Sequence, residues 1–273
     1  MNPDSQTIAQ SVADQFAALE GVDTVALGGS CGAGVADDRS DIDLHIYCRV
    51  PLSVEARASI IGPRASRKEL DSDFWGETED YWLERESGVK VEVAYRGRWV
   101  ADTLADMFAY NRARLGASTT LWHSVRTSRV LYDREGWFAS LKEKADVPYP
   151  DALSEAIICK NFAVLRGSLA NLPEQLAQAV GRGDVVAAHH FVSVILDSYF
   201  DVLFALNKVP HPGSKRMLTY AGSLRHQPEG MSEDVTRLVT CNLSEVVLLV
   251  DLLVNRLSPL VDAHLLRYEA PPA

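Results

Sequence analysis

The sequence has few cysteines and lacks a long apolar run. Its four cysteines are far apart and show no C-x-x-C spacing, so a disulfide framework or a cysteine metal site is not expected. No run of about 18 apolar residues indicates a membrane span, and the first residues lack the basic and apolar regions of a signal peptide. We therefore expect a cytoplasmic protein with no membrane partner. The cysteines are Cys31, Cys48, Cys159 and Cys241.

Positive charge is also scarce. The 273 residues include 27 Lys and Arg against 37 Asp and Glu, a formal net charge of −10. Because phosphate backbones are anionic, this balance argues against DNA or non-specific nucleic-acid binding. The apolar share of 47% and the charged share of 23% are those of a soluble globular chain. A cationic partner, or a metal at clustered carboxylates, suits this composition better.

The first half of the chain alternates helix and strand signals. Apolar residues at helical spacing predict helices over 5–20 and near 53–61. A short buried run predicts a strand at 24–27, and period-two alternation predicts strands at 41–47 and 89–95. We interpret residues 1–145 as a small mixed-sheet α/β domain.

Helical spacing dominates after residue 99. Many positions in these segments are apolar, which suits helices that pack around a core of their own. We expect an all-α helical bundle over residues 146–273, so that the chain as a whole belongs to the α+β class. Helices are predicted at about 151–171, 173–181, 184–207, 215–224 and 232–265.

A glycine pair and a serine, Gly28-Gly29-Ser30, follow the first predicted strand. Glycines let a backbone approach phosphate oxygens closely, and the exposed amides can donate to them. Ser30 adds a hydroxyl donor. Glycine pairs after strands are also common in ordinary turns, so the pair alone does not decide between the two interpretations.

Three carboxylates stand on predicted strands. Alternation places Asp41 and Asp43 on one face, and Glu92 stands between Val91 and Val93 in a later strand. Adjacent carboxylates repel each other unless a cation lies between them. An exposed strand face is the simpler interpretation of either motif alone. Together with phosphate-binding amides, they form the set that magnesium-dependent phosphoryl or nucleotidyl transfer requires.

The run Leu27-Gly28-Gly29-Ser30, a ten-residue spacer and Asp41-Ile42-Asp43-Leu44 resemble the signature of the polymerase-beta-like nucleotidyltransferase superfamily. Within it the chain resembles the aminoglycoside and lincosamide nucleotidyltransferases, which have a helical second domain. The resemblance implies that Gly29 and Ser30 hold a triphosphate. It also implies that Asp41, Asp43 and Glu92 bind Mg²⁺ and carry the catalysis.

The resemblance implies further roles in the helical half. Lys160 on the first predicted helix, and Lys215 in a loop that matches L-N-x(4)-P-x-x-K, would contact nucleotide phosphate. Glu155 is the counterpart of a glutamate base, although its spacing of five from Lys160 does not suit one helical face. Snorkelling of Lys160 and helix-end charge for Lys215 are the structural alternatives.

The segment 69–86, here called the acidic segment, contains eight acids, one base and four large aromatic residues. Acids interleaved with aromatics suit a cationic and partly apolar ligand. A solvated loop that packs its tryptophans on the sheet is the alternative. Glu77, Glu79 and Asp80 are further candidates for the base that deprotonates an acceptor hydroxyl.

These observations predict transfer of a nucleoside monophosphate, AMP from ATP in the first instance, to a hydroxyl of a small cationic acceptor such as an aminoglycoside or lincosamide. Two alternatives remain: an antitoxin-like enzyme that modifies a protein or RNA partner, and a non-catalytic nucleotide-binding module. Arg182 and His189 are similar to the R-x(4–6)-H signature of HEPN ribonucleases, but a structural histidine is favoured. A homodimer is compatible with the resemblance.

Overall fold

The computed structural model describes residues 3–37, 39–74 and 76–269. The chain folds as two compact units. Unit 1 comprises the residues up to Ala105 together with Ser124–Val147, and unit 2 comprises Asp106–His123 together with the residues from Pro148 onward. The boundaries between units therefore pass through two helices and a loop, and residues 106–123 belong with the C-terminal half.

Unit 1 is built on a six-stranded sheet with the order β3-β4-β5-β2-β1-β6. The pair β2 and β5 is parallel, and the other neighbouring pairs are antiparallel, so the sheet is mixed. The strands are β1 (Val22–Leu27), β2 (Ile42–Cys48), β3 (Ala65–Ser72), β4 (Thr78–Glu84), β5 (Lys90–Gly97) and β6 (Arg129–Asp133).

The core of unit 1 lies on one face of this sheet. Ile42, Leu44 and Ile46 alternate along β2 toward this face and are fully buried or nearly so. They pack in one apolar cluster with Val12 and Phe16 of the first helix. Because side chains alternate along a strand, Asp43 and its neighbours of the same parity point to the opposite face. The helices are α1 (Pro3–Ala17), α2 (Gly29–Gly32) and α3 (Val54–Arg64).

Three further helices follow in the first 145 residues: α4 (Trp99–Tyr110), α5 (Thr120–Thr127) and α6 (Trp137–Ala145). A boundary between the units falls within α4 and another within α5. The α6 helix packs against β1 and β6, and its Phe138 ring centroid lies 4.9 Å from that of Tyr47 on β2. This contact covers the C-terminal end of β2 and leaves the Asp43 end outside it.

Unit 2 is helical in its described residues. Helix α9 contacts α7, α8, α10 and α12 and is the central helix of the bundle. Its buried residues include Ile195, Tyr199 and Leu203. The helices are α7 (Asp151–Leu165), α8 (Leu172–Gly181), α9 (Val185–Leu206), α10 (Met217–Ala221), α11 (Met231–Thr240) and α12 (Val246–Glu269).

Helix α9 bears on the expectation that no segment of the chain spans a membrane. By length and composition it is apolar enough to cross a membrane, and half of its most apolar window is buried inside the fold. The core helix of a soluble protein meets the same test. Polar side chains interrupt this helix, so it contains no uninterrupted run of about 18 apolar residues; they include His189, His190, Asp197 and Asp201.

The predicted α+β class is confirmed: a mixed sheet with helices is followed by a helical region. The strands predicted at 24–27, 41–47 and 89–95 correspond to β1, β2 and β5. The hairpin of β3 and β4, and strand β6, were not predicted. The single long helix expected at 232–265 is two helices, interrupted between Thr240 and Val246.

Candidate active site

The three predicted carboxylates lie on one face of the sheet. In the parallel pair of β2 and β5, Asp43 is directly opposite Glu92, so their side chains project from the same face. Asp41 immediately precedes β2 and has the same parity as Asp43. All three residues are partly exposed. The structure therefore brings together two chain segments about fifty positions apart on a face that solvent reaches.

The glycine loop meets the same carboxylates. The Gly28 amide donates to the backbone carbonyl of Asp43 at 2.8 Å, which fixes the end of β1 beside β2. Gly29 has a φ of +52°, and a Cβ atom there would overlap the Asp43 carboxylate. Only glycine lets the backbone pass this close to Asp43 in that conformation. Ser30 follows on α2 and is partly exposed.

A lysine lies among these carboxylates. Lys90 alternates with Glu92 on β5, and its ammonium group donates a hydrogen bond to Glu92 Oε1. Its Nζ atom is also 3.9 Å from Asp41 Oδ2. The hydrogen bond to Glu92 is the main reason why the pKa of Lys90 is raised, and the charges of Glu92, Asp41 and Asp43 add to it. Strand alternation places Lys90 on the same face as Glu92, but the sequence does not indicate that its ammonium group also reaches Asp41.

The donor set suits a hard divalent cation. Three carboxylates supply the oxygen ligands that Mg²⁺ prefers, and the lysine ammonium already occupies a cation position between Asp41 and Glu92. Within the described ranges, no group of three or more His, Cys, Asp or Glu side chains is assembled as a metal site. The three carboxylates have the chemistry of a metal site, but they are not gathered around one point. Two of them, Asp41 and Glu92, pair with Lys90 instead.

A shallow groove of about 230 Å³ lies beside this site. The Tyr81 ring centroid is 5.4 Å from Lys90 Nζ, and the Tyr81 hydroxyl donates to Glu79. Desolvation and this hydrogen bond raise the pKa of Tyr81 above its ordinary value, so its hydroxyl stays protonated. The groove is lined by Arg67, Lys68, Glu69, Tyr81, Trp82, Leu83 and Lys90. Its lining therefore carries charge of both signs.

Most of the acidic segment forms the hairpin of β3 and β4. The alternative interpretation of this segment as a solvated loop is therefore wrong for most of its length. Four of its acids pair with arginines. Asp80 and Asp71 each accept from Arg57 at 2.6 Å, Glu84 accepts from Arg64 at 2.6 Å, and Glu77 accepts from Arg96 at 3.0 Å. Three arginines thus offset part of the charge that had suggested a cationic ligand. Trp75 of this segment lies outside the described residues.

Two candidates for the general base are therefore occupied. Asp80 is fully buried, and besides Arg57 it accepts from the Tyr95 hydroxyl at 2.7 Å. Glu77 is held by Arg96. Glu79 accepts from Tyr81 and is partly exposed. Arg57 is only 2% exposed. The sequence does not reveal this partner of Asp80, because no local pattern distinguishes a buried arginine from an exposed one.

The remaining predicted residues are in unit 2. Lys160 is exposed on α7, and Glu155 is partly buried on the same helix. Lys215 is exposed in the loop that leads to α10. The five residues Gly29, Ser30, Asp41, Asp43 and Glu92 thus form one group in unit 1, whereas Lys160 and Lys215 belong to the other unit.

The loop that contains Lys215 is anchored from its buried side. The His211 backbone amide donates to Thr119 Oγ1 at 2.8 Å, and the His211 ring accepts from the Gly213 amide at 3.1 Å. Burial is the main reason why the pKa of His211 falls to about 4, and nearby His123 adds to the effect. His211 therefore remains neutral at physiological pH.

The residues that resemble a ribonuclease signature have structural surroundings. Arg182 caps the C-terminal end of α8. His189 is exposed on α9, and its Nδ1 hydrogen-bonds the Val185 carbonyl of the same helix at 2.8 Å. The contact of His189 is therefore local to its own helix.

Comparison with known proteins gives one family and several solved structures. The profile of a family described as a domain of unknown function, DUF4037, matches residues 117–217, less than half of the chain. No curated protein matches the sequence. The nucleotidyltransferase-like protein from Exiguobacterium sibiricum 255-15 is 12% identical, with a TM-score of 0.45, over 96% of this chain and 76% of that one.

Two further similar structures are CCA-adding enzymes. One, in complex with ATP, is 14% identical with a TM-score of 0.34, over 88% of this chain and 58% of that one. The other, from Thermotoga maritima and complexed with tRNA, is 16% identical with a TM-score of 0.33, over 88% of this chain and 57% of that one. The chain therefore spans little more than half the length of either enzyme.

Proposed function

We propose that the chain is a metal-dependent nucleotidyltransferase that moves a nucleoside monophosphate, AMP from ATP in the first instance, to an acceptor hydroxyl. The observation that carries the proposal is the meeting of Gly29, Asp43 and Glu92 on one sheet face. The Gly28 amide fixes the loop to β2, and the parallel register places the two carboxylates side by side. A non-catalytic nucleotide-binding module needs no such set of paired carboxylates.

Each residue has a role in this proposal. Asp41, Asp43 and Glu92 would hold Mg²⁺, and the Gly29 backbone and Ser30 hydroxyl would hold triphosphate oxygens. Bound Mg²⁺ would supply positive charge against the charge that develops on the phosphates during an in-line displacement. Gly29 keeps the loop backbone against Asp43, so phosphate bound by the loop would lie beside the carboxylate ligands. Lys160 and Lys215 remain candidates for contacts with phosphate.

For the acceptor we propose a small hydroxyl-bearing molecule, with aminoglycosides and lincosamides as the first to test. The arginine pairs in the hairpin weaken the charge argument for a cation. Glu69 in the groove and Glu79 beside it are the acids that support one. Of the base candidates, Glu79 and Glu155 are the two with partial exposure and no arginine partner among the contacts found in the described chain. Cytoplasmic location and a homodimer stay predictions.

Labelled ATP tests the proposal. With Mg²⁺ and a panel of aminoglycosides, lincosamides and proteins or RNA, label in the α-phosphate should appear on the acceptor, and label in the γ-phosphate should not. Asp43→Asn should lower the rate by at least about 100-fold, because it removes a charged ligand from the site.

Asp73→Asn is the matched control, since it makes the same change at an exposed position in the hairpin turn. It should keep the wild-type rate. Label on a protein or RNA would favour the antitoxin-like alternative, and full turnover by Asp43→Asn would refute the proposed role of the carboxylates.

A further inference from the structure

The Lys90 ammonium group pairs with two of the carboxylates that we propose as metal ligands. Lys90 and Glu92 are two positions apart on β5, so both side chains leave the same face of the sheet. The ammonium group bonds to Glu92, and Asp41 Oδ2 lies 3.9 Å from Nζ. The Tyr81 ring forms the other side of this position, with its centroid 5.4 Å away. One positive group thus contacts two of the three proposed metal ligands.

We propose that Lys90 is a built-in counter-ion that occupies the metal position in the nucleotide-free protein and competes with the divalent ion for Asp41 and Glu92. The inference rests on the proposed function, because it assigns the same carboxylates to metal. It goes beyond that function by giving the free site a low affinity for metal, set by a residue that is not itself a ligand.

The geometry suits a displaceable ion. The Lys90 side chain is 43% exposed, and those of Asp41 and Glu92 are 39% and 27% exposed. Ion pairs this open contribute little to stability, because water screens them. A lysine ammonium is a single charge on a flexible stem, so it can leave without disturbing the strand. A divalent cation brings twice the charge to the same oxygens and can therefore replace it.

The competition also explains why Glu92 pairs with Lys90 in the structure. Without a cation, carboxylates that converge on one face repel each other. Lys90 relieves part of that repulsion and draws Glu92 into its own hydrogen bond, which takes one ligand away from any common metal position. Metal binding then costs the loss of this bond, whereas a variant without the ammonium would bind metal without that cost.

Mn²⁺ binding to the nucleotide-free full chain tests the inference. Isothermal calorimetry would compare the wild type with Lys90→Gln, Lys90→Arg, Lys144→Gln and Asp43→Asn. Lys90→Gln should bind Mn²⁺ about three- to tenfold more tightly, since one competing charge near the ion is removed. Lys90→Arg keeps the charge and should bind with affinity close to the wild type. Circular dichroism checks that each variant is folded.

Lys144→Gln is the matched control, because it removes the same charge from an exposed position on α6 of the same unit. It should change the affinity by less than twofold. A gain in Lys144→Gln equal to that in Lys90→Gln would show a general charge effect and overturn the inference.

The other outcomes separate this inference from the proposed function. If Lys90→Gln binds Mn²⁺ no more tightly than the wild type while Asp43→Asn loses binding, the role of Lys90 is wrong and the metal site stands. If no protein in the set binds Mn²⁺, either alone or with a non-hydrolysable ATP analogue, both the inference and the proposed function fail.

Discussion

At the scale of single residues, Asp43 and Asp80 show how surroundings decide the role of a carboxylate. Both belong to strands of the same sheet. Asp80 is fully buried and satisfied by Arg57, Tyr95 and the Asp71 amide. Asp43 is partly exposed beside Gly29. The sequence presents Asp80 as a candidate base because its partner, Arg57, lies 23 positions away and carries no local signal.

His211 gives a prediction at this scale. Its pKa is about 4 in the folded chain against an ordinary value of 6.5. As pH falls from 6.5 to 4 the unfolded chain takes up the proton first, so the folded state loses up to about 3 kcal/mol of stability. His211→Asn, which keeps an acceptor for the Gly213 amide, should lose this component.

Urea unfolding at several pH values measures it. Above pH 6.5 the His211 contribution is fully present, and between 6.5 and 4 the wild-type free energy of unfolding should fall more steeply than that of His211→Asn. Buried Asp201, whose pKa is raised to about 6, acts in the opposite direction but equally in both proteins. Parallel pH profiles would contradict the assignment.

At the scale of elements, the hairpin of β3 and β4 is a structural unit held by ion pairs. Acidic residues are poor strand formers, which is why the acidic segment gave no strand signal. Backbone pairing joins β3 to β4 and β4 to β5. Arg57 on α3 bridges Asp71 and Asp80, and Arg64 holds Glu84, so the acids of these strands have cationic partners. The same long-range pairs convert a predicted docking segment into part of the sheet.

Arg57→Met tests this account. It leaves Asp80 buried without its positive partner, and removal of one partner from a buried pair costs about 3–5 kcal/mol. The free energy of unfolding, measured by urea denaturation, should fall by that amount.

Arg67→Met, an exposed arginine on β3, makes the same change outside this pair and should stay within about 0.5 kcal/mol of the wild type. Equal losses in the two variants would mean that the buried pair does not hold the hairpin.

Elements with local signals were predictable and the others were not. The strands β1, β2 and β5 carry buried runs or strict alternation, and they are the ones found in the sequence. Strand β6 is short and mostly half-exposed, with the burial pattern of an edge strand. The parallel pairing of Asp43 with Glu92 was beyond the sequence as well, because register follows from tertiary packing.

At the scale of the whole molecule, residues 106–123 are the segment whose place the sequence does not reveal. They belong to unit 2 although they precede the last part of unit 1. The Gly116 amide donates to Asn161 Oδ1 at 2.8 Å, and the Ser118 amide donates to Asp201 Oδ1 at 3.0 Å. A change in composition near residue 145 is visible in the sequence, but these side-chain bonds are not.

The predicted catalytic domain 1–145, made as a fragment, would therefore lack the partners of this segment. We expect the amides of Gly116 and Ser118 to be protected from hydrogen exchange in the full chain and to exchange about as fast as an unstructured peptide in the fragment. Amides in β2 and β5, whose partners are all in unit 1, serve as the internal control. Equal protection of residues 106–123 in both proteins would contradict the description.

The most direct measurement is a crystal structure of the full chain with Mg²⁺ and a non-hydrolysable ATP analogue. The account predicts metal bound by Asp41, Asp43 and Glu92, the triphosphate against Gly29 and Ser30, and Lys90 displaced from Glu92. Nucleotide and metal bound elsewhere, with the pair of Lys90 and Glu92 intact, would contradict the central claim that this sheet face is a nucleotidyl-transfer site.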